Sequence, residues 1–346
     1  MMANSQKVSV IVPVHNTEKW LPRCLDCLSH QALPGLEILC IDDASTDGSW
    51  DILQAYARKD PRFRLLRNAV NEGAGASRNR GLDAARGEYV GFVDSDDFVF
   101  LSFYKLLYEA ARGADIVKGD IWGFDNEKEE VRPRPHYSLN ALVRENRNWF
   151  SIGFTSAIFK RELIKRHGIR FPEQMQTMED PCFTIDCVLK ANAVNVVDDA
   201  IYVYAENPHS VTCTIQGATV AAATMRACLL IGEMVKNAGV STQHMPVIAF
   251  LAQMLQGVAL VPDATDEDIR PLTDMLTGLY EASGLQQEFL YSCTRSLRKK
   301  IFAINARNEF FLRHENEMTQ SVESQMHRLR RVQMLKTTMR RPGRPG

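Results

Sequence analysis

Several features that would settle the class of a protein at once are missing from this chain, and each absence excludes something. No run approaches the 18 or more consecutive apolar residues that span a bilayer. No apolar segment precedes Val8–Val14, and that run is too short for a secretory signal, so the expectation is a protein neither exported nor membrane-spanning, and cytoplasmic. The 8 cysteines are scattered without the spacing of a disulfide framework, and Cys24 and Cys27 form a lone CxxC with no second pair to build a zinc site. Both fall in an expected helix, where they read as packing residues in a reducing compartment. Net charge is missing too: 41 basic residues face 42 acidic ones, so nothing favours nucleic acid as a partner, and any anion must be held by a local site. The first strand exit, Pro13-Val14-His15-Asn16, contains no glycine, which argues against the dinucleotide fingerprint of a dehydrogenase. HExxH, a nucleophile elbow and internal repeats are absent as well.

What is present is 346 residues at 45% apolar content, enough for a catalytic domain of about 200–250 residues and a smaller appendage. Val8–Val14 reads as a buried parallel strand, followed by a helix with Trp20, Cys24, Leu25 and Leu28 on one side. Ile38–Ile41 repeats the pattern and runs into Asp42-Asp43, after which Ser45 to Ser49 supplies caps for a helix. Phe63–Leu66 and Tyr89–Val93 are the next strands, with a helix from about Ser77 to Ala85 between them. This alternation predicts an α/β fold with a mostly parallel sheet flanked by helices. A helix over 102–112, a brief strand at Ile116–Val117, a long surface excursion from Trp122 to Trp149 with a short helix near 139–144, and helices over 161–167 and 179–190 should follow. Val194–Val197 and Ile201–Tyr204 read as two strands. Beyond residue 215 only helices are expected, over 221–234, 246–259, 266–282 and 286–304. The domains are therefore read as 1–215, catalytic, with a nucleotide half to about 100 and an acceptor half from 101; 216–327, helical; and 328–346, a basic tail. That tail is either mobile or rests on an anionic membrane through Arg328–Arg341.

The strongest chemical signal is Asp94-Ser95-Asp96-Asp97 at the end of an apolar strand. Carboxylates packed this closely repel one another, and a hard divalent cation such as Mg2+ or Mn2+ relieves the repulsion while leaving part of its shell for substrate phosphate. The alternative is that these aspartates cap the helix beginning near Leu101. In an open parallel sheet, ligands sit beyond the carboxyl ends of the strands. Pro13, His15, Asn16 and Asp43 stand there with the acidic motif, Asp43 being suited to a base N–H or a ribose hydroxyl. Arg78 could face a diphosphate with its two-pronged guanidinium, and His209 is nominated as a diphosphate or metal contact. Glu179-Asp180 opens a helix, where one carboxylate suits the dipole and the other could act as a general base; the dipole should keep it ionised, so its power would come from positioning.

Taken together, Val8-Ser9-Val10-Ile11-Val12-Pro13-Val14-His15-Asn16, Ile41-Asp42-Asp43-Ala44-Ser45-Thr46-Asp47-Gly48-Ser49, Asn71-Glu72-Gly73 with Ser77-Arg78-Asn79-Arg80-Gly81, and Phe92-Val93-Asp94-Ser95-Asp96-Asp97 resemble glycosyltransferase family 2, of the GT-A fold. The resemblance runs from about residue 7 to 215. It implies that Asp43 contacts the base, that Asp94, Ser95 and Asp96 form the donor and metal motif with Asp96 the direct ligand, that Arg78 lies near the donor phosphates, and that Asp180, oriented by Glu179, is the catalytic base. Asn207–Thr212 resembles the segment that closes over the diphosphate. Ala44 departs from the family's usual glycine. The implied reaction is metal-dependent, inverting transfer from a nucleoside diphosphate sugar, a UDP-sugar above others, to a glycan or glycolipid hydroxyl. A nucleotidyltransferase and an inactive nucleotide-sugar-binding protein are the competing readings. A homodimer and a peripheral contact at the inner face of the membrane through the C-terminal region are left open.

Overall fold

A computed structural model describes residues 6–126, 128–133, 153–175, 177–207 and 218–239, with isolated positions at 251, 274, 275 and 278. The chain divides into two compact units, Met1–Met234 and Val235–Gly346, the second lying almost wholly outside the described residues. The expected boundary near 215, the helices expected over 139–144, 246–259, 266–282 and 286–304, and the basic tail also fall outside, apart from those isolated positions.

The first unit begins as the hydrophobic pattern dictates. Strand β1 (Val8–Val14) is followed by α1 (Leu21–Ser29), β2 (Leu36–Asp42), α2 (Ser49–Lys59), β3 (Phe63–Arg67), α3 (Ala74–Ala84) and β4 (Tyr89–Phe92). β2 and β4 flank β1, and β3 adds to β2, all in parallel. Both faces of this half are covered, so the strand sequences run apolar without alternation. Val8, Val10, Val12 and Val14 pack with Leu21, Cys24, Leu25 and Leu28 of α1 on one face. Ile11, Leu39 and Ile41 pack with Leu82 of α3 on the other. α3 lies so close to β1 that a Cβ on Gly81 would stand 2.5 Å from Ile11 Cγ2, which accounts for glycine in mid-helix.

The second half corrects the expected topology. After β5 (Phe98–Val99) and α4 (Phe103–Ala111) come β6 (Ile116–Asp125), β7 (Glu130–Pro133), a 3-10 turn (Phe154–Ser156), β8 (Ala157–Lys160), α5 (Arg161–His167), α6 (Glu179–Lys190), β9 (Val194–Ala205) and α7 (Ala218–Asn237). The strand order is β3-β2-β1-β4-β8-β6-β9-β5, with β7 paired to β6. β8 is antiparallel to β4 and β6, and β5 is antiparallel to β9, so the sheet is mixed rather than mostly parallel. The start of the expected excursion is in fact the far half of β6 and the hairpin to β7; residues 134–152 lie outside the described set. β6 looked brief because its register against β9 shifts between Lys118 and Asp120, which breaks the alternation. β9 looked like two strands because Asp198 and Asp199 are exposed in its middle. All six described cysteines are free, five of them buried. Among the described residues no helix is long and apolar enough to cross a membrane.

Candidate active site

The carboxyl ends of β2, β1 and β4 lie side by side, so the loops that follow them share one edge of the sheet. The first two loops are clasped together. Asn16, Thr17 and Glu18 donate their backbone N–H groups to Ser45 Oγ (3.1 Å), Ser49 Oγ (3.0 Å) and Asp47 Oδ2 (3.0 Å). In return the N–H groups of Thr46 and Gly48 donate to Asn16 Oδ1 (2.8 Å) and Glu18 Oε2 (2.6 Å). The Ser45 to Ser49 segment, expected to cap α2, therefore mainly fastens the neighbouring loop; among its side chains, only Asp47 also accepts from within its own turn, from the N–H of Ser49.

Asp43 continues from β2 and is 2% exposed. Its Oδ1 accepts from Asn68 Nδ2 (2.7 Å) and the N–H of Glu72 (2.9 Å), and its Oδ2 from the N–H of Gly73 (2.8 Å). The carboxylate thus shapes the β3–α3 loop, a use the sequence reading did not contain; Asn68, the side chain that ties this loop to it, carries no motif of its own. His15 Nδ1 stands 2.7 Å from the Asp43 carbonyl oxygen. Pro13 lies within β1, pairing in register with Ile41.

Arg78 joins the acidic motif to the opening of α6. One terminal nitrogen donates to Asp94 Oδ1 (2.8 Å) and the other to Glu179 Oε1 (2.7 Å). Its guanidinium rests 4.7 Å from the ring of Phe154 and 5.4 Å from that of Phe171, which in turn stacks on Phe183 of α6 at 4.1 Å. Burial opposes the positive charge, but Asp94 and Glu179 outweigh it and raise the Arg78 pKa. Each terminal nitrogen thus donates to a carboxylate, which fixes the guanidinium between the acidic motif and the start of α6.

The acidic motif divides into different jobs. Asp97, 2% exposed, accepts from the Tyr202 hydroxyl (2.5 Å) and the Ala205 N–H (2.8 Å), which ties the loop to β9. Burial, with Asp94 and Asp96 nearby, pushes its pKa well up. It does not cap α4; the N-cap position of that helix is Ser102, which makes no side-chain capping bond. Ser95 is buried. Asp96 Oδ2 accepts from Asn207 Nδ2 (2.8 Å), while its carbonyl oxygen accepts from Arg23 (3.1 Å), an arginine no local signal marked because its partner lies 73 residues away. Burial first, and Asp94 second, raise the Asp96 pKa. Among the described residues no three His, Cys, Asp or Glu side chains gather as a metal site. Asp94 and Asp96 supply hard carboxylate oxygens, and Asp94 raises the pKa of Asp96, a donor pair that fits a cation completing its shell from substrate phosphate and water. His209 lies outside the described residues.

Asp180, half-buried in the first turn of α6, has its pKa raised to about 7 by burial and by the neighbouring Glu179, against the opposing charge of Arg78. The helix dipole was expected to keep it ionised through the ordinary carboxylate range; desolvation wins instead. Met178, immediately before, holds φ +68°, and Asn16 and Ala44 hold +51° and +56°. Three non-glycine residues in the left-handed region thus stand at the strand-end loops and the α6 entry, where strain is tolerated only if the surroundings fix it.

Comparison with known proteins bears on the family and the fold. Residues 9–168 match the model of glycosyl transferase family 2. The uncharacterized glycosyltransferase EpsJ of Bacillus subtilis is 32% identical over 217 residues, covering 59% of this chain and 62% of its own length. The poly(ribitol-phosphate) beta-glucosyltransferase of Bacillus spizizenii is 34% identical over 205 residues, 57% of this chain and 32% of that one. The chain thus spans between 32% and 62% of the length of these two relatives. Among solved structures, Staphylococcus aureus TarS 1–349 in complex with UDP-GlcNAc superposes with a TM-score of 0.67 at 23% identity, over 89% of this chain and 92% of that one, a likeness of fold. Residues 9–168 of this chain thus match glycosyltransferase family 2, and the described residues fold as a GT-A-like α/β protein with a mixed sheet flanked by helices.

Proposed function

We propose that this chain transfers a sugar from a nucleoside diphosphate donor to a hydroxyl of a glycan or glycolipid acceptor, with inversion and with the help of a divalent cation. The observation that carries the reading is the Arg78 bridge, which brings the acidic motif after β4 and the Glu179-Asp180 pair within reach of one side chain. Uridine is the proposed nucleoside, as in the TarS complexes with UDP and UDP-GlcNAc. Asp96, with Asp94 beside it, is the proposed holder of Mn2+ or Mg2+, which when bound would offset the charge on a leaving diphosphate.

The protein's own groups then have distinct work. Asp180 takes the proton from the acceptor hydroxyl as that oxygen attacks the anomeric carbon from the face opposite the diphosphate. A carboxylate with its pKa near 7 is well matched to this task at neutral pH, being both substantially ionised and basic enough to accept. Glu179 is held by Arg78 and is proposed to orient the helix start and to raise its neighbour's basicity. Asp43 and the clasped loops hold the nucleoside end, with Asp43 acting through the β3–α3 loop that it fixes as well as by any direct contact. Since one carboxylate serves as base and Glu179 is tied up, a single displacement is favoured over a covalent intermediate.

The test is a panel of nucleotide sugars with and without Mn2+. Donor turnover that depends on the cation, and that disappears in Asp96→Ala while the circular dichroism spectrum and melting stay those of a folded protein, is the expected result. Full activity in that variant would remove the acidic motif from the mechanism.

A further inference from the structure

His15 is the one imidazole among the described residues that joins two loops of the nucleotide side. Its Nε2 stands 3.2 Å from Asn16 Nδ2 and 3.0 Å from Asn71 Nδ2. Which end of each carboxamide faces the ring is fixed independently, because Asn16 Oδ1 accepts from the Thr46 N–H (2.8 Å) and Asn71 Oδ1 accepts from the Gly73 N–H (3.1 Å). Both amides therefore present N–H donors, and Nε2 must be the acceptor. On the other side, Nδ1 lies 2.7 Å from the Asp43 carbonyl oxygen, which can only accept, so Nδ1 must carry the proton.

From this we infer that His15 is a positioning residue whose neutral, Nδ1-protonated form pins the β1–α1 loop to the β3–α3 loop, and that a proton on Nε2 breaks the pin and weakens nucleotide binding. An imidazolium would set a third N–H against two amide donors, and both contacts to Nε2 would be lost. The titratable groups on the surrounding loops do not take over: the Asp43 carboxylate is engaged by Asn68, Glu72 N–H and Gly73 N–H, Asp47 and Glu18 are engaged in the loop clasp, and Asp42 pairs with Arg67. Glu72 follows Asn71 and is the remaining carboxylate on the β3–α3 loop. The binding half of this inference rests on the proposed nucleotide site; the tautomer does not.

Two measurements separate those halves. Nitrogen NMR of the histidine-labelled full chain at pH 8, with His15 assigned by its absence in His15→Gln, should show a protonated Nδ1 and a bare Nε2. An Nε2-protonated ring, or an even mixture, overturns the inference whatever the protein does. Calorimetry with UDP and Mg2+ should then show binding to the wild type weakened roughly fivefold between pH 8 and pH 5.5, the loss expected for one or two exposed hydrogen bonds. His15→Gln keeps an acceptor near Nε2 that does not titrate, so its affinity, whatever its value at pH 8, should change with pH by less than the wild type's, the remainder belonging to the nucleotide's own phosphate and to the carboxylates of the site, Asp96 and Asp180, whose pKa values are raised. Equal pH dependence in the two proteins overturns the inference. No binding of UDP by either at any pH would instead count against the proposed nucleotide site and against the binding half, leaving the NMR result to decide the tautomer.

Discussion

Asp180 and Ala44 show how a single side chain's surroundings set its chemistry. With its pKa raised to about 7, Asp180 is protonated over much of the mildly acidic range, so kcat should fall as the pH drops through 7 and level off above it. Asp180→Asn should lower kcat by on the order of 100-fold or more and remove that limb, with nucleotide affinity by calorimetry little changed; retained turnover would take Asp180 out of the role. The same shift has a stability sign. Because the folded chain holds this proton to a higher pH than the unfolded one, the contribution of the group declines as pH rises from the ordinary carboxylate range to about 7, the reverse of a salt-bridged aspartate. Ala44 was visible in the sequence as a departure from the family's glycine, and its φ of +56° gives the departure a cost. Ala44→Gly should raise stability by roughly 0.5–1 kcal/mol in urea unfolding, the left-handed strain relieved less the added freedom of the unfolded chain. An unchanged or lower midpoint would mean that the loop clasp tolerates alanine without strain.

At the level of elements, α3 is the piece that makes one site out of separate strand ends. It is wedged against β1 at Gly81 and projects Arg78 between the loop after β4 and the start of α6. Arg78→Met keeps the apolar stem over Phe154 and Phe171 but leaves two carboxylates without their shared cation. Breaking a buried pair in this way should cost about 3 kcal/mol or more in urea unfolding. It should also move the acid limb of kcat above pH 7, since the arginine's charge is what restrains the rise of the Asp180 pKa. An unmoved limb would show that the bridge is purely structural. The elements up to β4 were legible because strands covered on both faces carry apolar runs that nothing else explains. β6 and β9 were misjudged where a register shift, in one, and two exposed aspartates, in the other, interrupt a pattern that pairing partners sustain.

For the molecule as a whole, a site assembled from several loops should bind only to the folded state, so ligand should stabilise the fold. UDP with Mn2+ at about 100 times its dissociation constant should add roughly 2.7 kcal/mol to unfolding. EDTA should abolish most of that gain, and Asp96→Ala should abolish its metal-dependent part; a gain indifferent to the chelator would argue for binding without a cation. The acid residues, the strand ends that carry them and the family they resemble were determined by the sequence alone, because buried parallel strands and clustered carboxylates leave local marks. Tertiary structure alone decided that Arg78 is committed to Asp94 and Glu179, that Asp43 is held by Asn68, Glu72 and Gly73, that the sheet turns antiparallel beyond β4, and that Asp180 titrates near neutrality. Each of these depends on which distant groups share a desolvated space, and desolvation and charge pairing act through distance in the folded molecule, which spacing along the chain does not encode.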